Sequence, residues 1–241
     1  MNSMQLCGLD EISIALDNDE EISLVLVSRE NRSNEVTALL ERVEEAGIPI
    51  REGSNNDLWR MAKDNKRGTP EILALAGRQL EGDLSEVCAR GGVLWLMSGA
   101  QYAVNIGYVI RTAEVSGANA IIIDAGLNSN EKKTAVRASM KAHRFLPVFW
   151  NSTEEALTVA KQAGMRIVAV EDCGDIEPWD EDLTGDVLLI VGGEHDGISE
   201  TVLEQCDQII KIPMGGFVPS YNLQAPMAIV AIEALRQQRE N

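Results

Sequence analysis

Five polar residues stand at or near the ends of apolar runs, and their types suit holding one small ligand and a reaction beside it. Glu194 lies in GGEHDG, directly behind the apolar run DVLLIVGGE; Ser220 and Asn222 lie in GGFVPSYN, behind QIIKIPM; Asn105 and Arg111 share the segment NIGYVIR. A carboxylate, a hydroxyl, two amides and a guanidinium can orient hydrogen bonds around a reacting centre. A metal is not called for. His143 and His195 are too few and too separated, and Cys7, Cys88, Cys173 and Cys206 show no CxxC spacing, so neither a zinc site nor a disulfide framework is signalled. Each polar residue also has a plainer explanation: Asn105 as a cap for a helix beginning about Ile106, Glu194 as a solvated loop carboxylate, His195 as a variable loop residue. Arg111 is harder to set aside, because Val109, Ile110 and Ala113 around it are apolar.

GGEHDG invites comparison with a dinucleotide phosphate loop. That motif needs its glycines at a first strand-to-helix turn, with a helix dipole facing pyrophosphate and an acid about twenty residues on. Here the glycines follow a late strand, and Glu194 and Asp196 stand where phosphate would lie. A nicotinamide site is therefore not expected.

The elements that must position these residues alternate along the chain. After an acidic leader, ISLVLVS (22–28) reads as a strand, NEVTALLERVEEAG as a helix capped by Asn34 and stopped by Gly47, IPI (48–50) as a short strand, NDLWRMAKDNKRG as a helix with a basic end, and PEILALAG as a strand. This predicts a small α/β domain over 1–80. Residues 81–91, polar and glycine-punctuated, read as a linker. From 92 to 241 the alternation restarts: GVLWLMSGA, AIIIDAG, LPVFW, MRIVAVED and DVLLIVGGE as buried strands, NIGYVIRTAEVSGA, KKTAVRASMKAH and STEEALTVAKQAG as helices, and a closing helix from about Asn222. Continuous apolar strands alternating with helices predict a mostly parallel sheet covered on both faces, with ligands beyond the carboxyl ends of its strands.

Charge is patched. The net charge is −17 over 241 residues, which should repel nucleic acid. Residues 171–186 hold eight acids and no base and read as a solvated face, whereas 132–144 hold five bases, Lys132, Lys133, Arg137, Lys141 and Arg144, and no acid. Lys66 and Arg67, with Arg60 and Lys63 beside Trp59, form a second basic cluster. No apolar run reaches the roughly eighteen residues of a membrane span, and the start is acidic where a secretory signal would be basic, so a cytoplasmic location is expected. The final helix, APMAIVAIEALRQQ, is apolar on more than one face, which suggests a subunit interface.

Taken in order, NIGYVIRTAEVSGANAIII, LLIVGGEHDGISETVLEQCDQIIKIPM and GFVPSYNLQAPMAIVAIEALRQQ resemble the three motifs of the SPOUT-class RNA methyltransferases, in the SpoU (TrmH-like) 2'-O-ribose branch. The resemblance implies a C-terminal α/β domain with a parallel sheet and a deep trefoil knot. It further implies that the N-terminal domain is a ribosomal-protein-like RNA-recognition module. Asn105, Arg111, Glu194, Ser220 and Asn222 would be the catalytic set. Gly192, Gly193, Gly197, Ile212, Met214 and Tyr221 would line the S-adenosylmethionine cleft. The partners implied are RNA, rRNA ahead of tRNA, and a second copy in a homodimer. A non-catalytic RNA-binding scaffold is the alternative from another class.

Methyl transfer to a ribose hydroxyl needs alignment and removal of a proton, for which no metal is required. Asn222, Ser220 and Glu194 would position the groups. The resemblance implies that Arg111 activates the 2'-hydroxyl; because a guanidinium stays protonated, the alternative is that it clamps the adjacent phosphate and steadies a developing alkoxide. The chain departs from the family pattern at Gly193, usually Asn, Ser or Ala; at Tyr221, usually leucine; and at Gln224 and Pro226, usually small or β-branched. Tyr221 puts the shape of the donor pocket in question.

Overall fold

A computed structural model describes residues 5–30, 32–63, 68–218 and 220–240. The chain forms two compact units, residues 1–80 and 81–241.

In the first unit β1 (Gln5–Cys7), α1 (Leu9–Asp17), β2 (Ile22–Ser28), α2 (Asn34–Glu45), β3 (Ile50–Gly53), α3 (Asn55–Met61) and β4 (Ile72–Ala76) build a four-stranded sheet in the order β1-β4-β2-β3. β2 runs parallel to β3 and antiparallel to β4. The acidic leader is not a leader: β1 pairs with β4, and α1 turns Ile12 and Ala15 into the core while its acids face water. Ser33, not Asn34, caps α2, its hydroxyl accepting from the Val36 amide.

The second unit holds α4 (Leu84–Arg90), β5 (Val93–Ser98), α5 (Ala103–Val115), β6 (Ala120–Ile123), α6 (Ser129–Ala138), β7 (Val148–Phe149), α7 (Thr153–Gln162), β8 (Arg166–Val170), β9 (Val187–Gly192), α8 (Glu200–Leu203), β10 (Gln208–Ile210) and α9 (Gln224–Glu240). All strands of its six-stranded sheet are parallel, in the order β10-β8-β9-β5-β6-β7. Side chains alternate between faces along each strand. Trp95, Met97, Ile121, Leu189 and Val191 pack under α5 and α9, while Leu94, Leu96, Ile122, Leu188 and Ile190 pack under α4 and α7.

Residues 81–91, expected as a linker, belong to this unit. Asp83 and Glu86 form a capping box that starts α4, and Leu84, Val87 and Cys88 are buried on the second face of the sheet. The basic helix is shorter than its sequence suggests. Ser139 is buried and bonds back to the Val136 carbonyl, Met140 and Lys141 take positive φ, and a single 3-10 turn follows.

Loop 171–186 is fastened to the C-terminal segment at two places. The Ile176 carbonyl accepts from the Lys211 amide just past β10, while Gln237 and Gln238 of α9 bond to Glu181, Leu183 and Gly185. No helix among the described residues is long and apolar enough to cross a membrane.

Candidate active site

The carboxyl ends of β8 and β9, the start of α5 and the chain behind β10 meet around a cleft of about 490 Å3, within the usual range for small-ligand sites. Glu194 organises it. One carboxylate oxygen accepts from the Asn105 side-chain amide at 2.9 Å and the Tyr102 backbone N–H at 3.3 Å, and the other from the Gln101 N–H at 3.0 Å. Tyr102, the N-cap of α5, offers no side-chain cap of its own. A carboxylate from a distant strand end instead holds the entry to α5 through the Gln101 and Tyr102 N–H groups, and its charge suits the positive end of the helix dipole. Asn105 lies within the first turn of α5, not before the helix as expected.

The glycines leave bare backbone on the cleft wall. A Cβ at Gly193 would stand 2.1 Å from the Gly99 carbonyl oxygen, and one at Gly192 would stand 2.4 Å from Gly197. Gly197 has φ +64, and a Cβ there would crowd the Glu171 carboxylate. Glu171 in turn accepts from the Ile198 N–H at 2.9 Å, tying the end of β8 to the far side of the GGEHDG loop.

On the opposite wall stand Ile212, Met214, Ser220, Tyr221 and Asn222. The Tyr221 hydroxyl donates to the Pro213 carbonyl at 3.1 Å, so the residue that departs from the family pattern staples its own loop. The Asn222 side-chain oxygen accepts from the Gln224 N–H at 3.2 Å at the entry to α9, and Pro226 sits in the first turn, where no intrahelical donor is lost. The cleft therefore brings together Asn105, Glu194, Ser220 and Asn222 with Gly192, Gly193, Gly197, Ile212, Met214 and Tyr221.

Arg111 is not among them. It is exposed on α5 and lines a separate groove between α5 and α9 with Tyr108, Val115, Gln224 and Ile232. The apolar flanks that made it look inward belong to the opposite side of the helix: Val109, Ile110 and Ala113 are fully buried. Of the basic helix, Lys133, Arg137 and Arg144 are exposed, whereas Lys132 places its ammonium 4.7 Å from the centroid of the Trp150 ring. Lys141 is half-buried with φ +74. Lys66 and Arg67 lie outside the described residues.

Among the polar and aromatic cleft residues, Tyr102, Glu171, Asp172 and His195 were not singled out as site residues from sequence, His195 having been set aside as a variable loop residue. Glu171 and Asp172 were absorbed into the acidic run, although both close a predicted strand, the one signal that could have singled them out. The Tyr102 hydroxyl lies 2.9 Å from His195 Nε2. The thiols take no part in the cleft: burial pushes Cys88 and Cys206 up to about 11, with the neighbouring Asp207 adding to the effect on Cys206.

The cleft fits S-adenosylmethionine in size and chemistry. Its glycine wall admits a flat ring against backbone, Ile212, Met214 and Tyr221 give apolar surface, and Glu171, Asp172 and Glu194 supply negative charge toward a cationic sulfonium and ammonium.

A parallel sheet with a glycine-walled cleft at the carboxyl ends of its late strands is the arrangement of an α/β small-ligand-binding domain. The chain belongs to the SpoU rRNA methylase family, whose sequence profile matches residues 93–232. It is 26% identical to the 23S rRNA (guanosine-2'-O-)-methyltransferase RlmB of Xanthomonas axonopodis pv. citri (strain 306), over 96% of each chain. To the protein of the same name from Xylella fastidiosa (strain 9a5c) it is 28% identical, again over 96% of each. Among solved structures, an RNA 2'-O ribose methyltransferase aligns with TM-score 0.58 and 26% identity over 97% of this chain and 88% of that one. The SpoU methyltransferase AviRb from Streptomyces viridochromogenes aligns with TM-score 0.61 and 23% identity over 98% and 90%, a likeness of fold.

Proposed function

We propose that this protein transfers the methyl group of S-adenosylmethionine to a ribose 2'-hydroxyl of ribosomal RNA in the cytoplasm. The observation that carries the reading is the convergence of Asn105, Glu194, Ser220 and Asn222 on one glycine-walled cleft, from segments far apart in sequence. The full-length match to 23S rRNA methyltransferases supports rRNA over tRNA, because both units align and not the second alone.

S-adenosylmethionine supplies an electrophilic methyl on a sulfonium; alignment and charge are left to the protein. Glu194 fixes the start of α5 and with it Asn105. Ser220 and Asn222 line the same cleft and would orient a ribose hydroxyl. Arg111 stands on the α5–α9 face, where Val115 is 70% and Ile232 59% exposed. An apolar face of this kind is suited to a second copy. In a homodimer Arg111 would reach the partner's cleft, hold the phosphate beside the target and steady the alkoxide as it forms.

The two fastenings of loop 171–186 on either side of segment 211–223 support the trefoil knot. For the first unit, a compact domain with Arg60, Lys63 and half-exposed Trp59 at one helix end, RNA recognition is the role proposed. Titration calorimetry with S-adenosylmethionine tests the catalytic reading; absence of donor binding would favour a non-catalytic scaffold. Mapping 2'-O-methyls in rRNA from cells with and without the gene would identify the nucleotide.

A further inference from the structure

We infer that Tyr102 and His195 form a nucleobase-stacking site at the mouth of the cleft, which seats a base of the single-stranded RNA whose ribose is methylated. This rests on the methyl-transfer reading and adds to it a site for the RNA itself.

Tyr102 is held at both ends by consecutive residues of one loop. Its backbone N–H donates to Glu194 at 3.3 Å, and its hydroxyl lies 2.9 Å from His195 Nε2. The two rings meet edge to face, with centroids 5.6 Å apart and planes at 73°. The tyrosine is nonetheless 50% exposed. An aromatic side chain left to itself on a surface lies down over neighbouring apolar groups to shed water. Here two tethers fix the side chain beside the cleft it lines, with its hydroxyl satisfied and half of the residue open to solvent.

A fixed, half-exposed ring is what single-stranded RNA recognition uses, because unstacked bases recover stacking on aromatic side chains without sequence preference. The position also answers a problem of charge. The cleft is lined by Glu171, Asp172 and Glu194 and, among the described residues, by no lysine or arginine of its own chain, so contact through a base adds what these side chains do not offer the RNA backbone.

The test compares two probes on the full-length protein: a short oligoadenylate carrying 2-aminopurine, and an abasic ribose-phosphate chain of the same length. Tyr102→Ala is expected to weaken oligoadenylate binding by roughly 5- to 100-fold and to abolish the 2-aminopurine fluorescence change, with binding of the abasic chain unaltered and S-adenosylmethionine affinity lowered far less than RNA affinity. Tyr102→Phe keeps the ring and is expected to retain most of the affinity. His195→Ala frees the ring and should give an intermediate loss. The inference is overturned if wild-type protein binds both probes equally, if Tyr102→Ala leaves oligoadenylate binding intact, or if it lowers donor affinity as much as RNA affinity. It is also overturned if Tyr102→Ala changes the sedimentation of the protein, which would make Tyr102 part of a subunit contact. Base-dependent RNA binding without any donor binding would sink the methyl-transfer reading and leave the stacking site standing.

Discussion

The Glu194 carboxylate and the Asn105 side-chain amide are hydrogen-bonded at 2.9 Å across 89 residues of sequence. Glu194 also ties down the two backbone N–H groups that lead into α5. Its replacement by alanine removes a charged acceptor from three donors, Gln101 N–H, Tyr102 N–H and the Asn105 amide. Glu194→Ala is expected to destabilise the second unit by about 1–3 kcal/mol and to lower methyl transfer sharply. Urea denaturation followed by tryptophan fluorescence checks the first part. An unchanged midpoint would return Glu194 to the role of a solvated loop acid.

Gly193→Ala should be more damaging to donor binding than to folding. Its Cβ would meet the Gly99 carbonyl oxygen at 2.1 Å, backbone that cannot swing aside as a side chain could. The loop must therefore move as a unit, reshaping the wall of the cleft. Calorimetry is expected to show S-adenosylmethionine affinity lost while circular dichroism stays near wild type; full affinity would place the donor elsewhere.

Arg111 gives a test of the dimer. Arg111→Lys keeps the charge but not the planar fork, and it is expected to lose most activity. Arg111→Ala and Ser220→Ala should each be inactive alone. If Arg111 serves the partner's cleft, unfolding and refolding the two variants together restores activity in the mixed dimers. A mixture as inactive as its components would confine each site to one chain.

On the basic helix, Lys133 and Arg137 are exposed, whereas Lys132 is engaged over Trp150. Replacing Lys133 and Arg137 with Gln is expected to lower the slope of log K for RNA against log salt by about 0.7 to 0.9 per charge removed. Lys132→Gln should disturb packing at Trp150 more than it disturbs the slope. A filter-binding series over salt concentration separates the two, and an unchanged slope for the double variant removes the helix from the RNA surface.

In α9, Arg236 bonds to Glu233 and holds its carboxyl below the usual range, helped by Gln237. The folded value is depressed, so this contribution is complete above the unfolded carboxylate value of about 4.3 and is lost as pH falls through the folded one. Glu233→Gln should therefore unfold more easily than wild type near neutral pH, and the two midpoints should converge in acid. A constant offset at all pH values would show that shape, not charge, matters at this position.

Much of this architecture was legible because parallel strands buried on both faces leave uninterrupted apolar runs. AIIIDAG and DVLLIVGGE announce both the sheet and the end at which ligands gather. The cleft residues were legible for the same reason: Gly192, Glu194, Ser220 and Asn222 each follow such a run. The inward direction read for Arg111 was wrong because apolar neighbours in sequence do not share its side of a helix; Val109, Ile110 and Ala113 point to the core while Arg111 is exposed. Residues 81–91 were misread because a short helix buries only Leu84, Val87 and Cys88, too few to stand out from glycine and charge. Glu171 was hidden in a run of acids, and what distinguishes it is a partner, the Ile198 N–H, that no local pattern encodes. The Tyr102–His195 contact spans 93 residues and is invisible in the same way.

The reach of Glu194 across the chain also bears on how the protein is made. Because Asn105 in the first turn of α5 is tied to a residue 89 positions downstream, the early half of the second unit can assemble its strands before the entry to that helix is fixed. Pairings so distant in sequence close late, since the intervening loop must first lose its freedom. The donor cleft is complete only after the segment containing Tyr221 and Asn222 has been synthesised. Methylation cannot begin on a partly made enzyme.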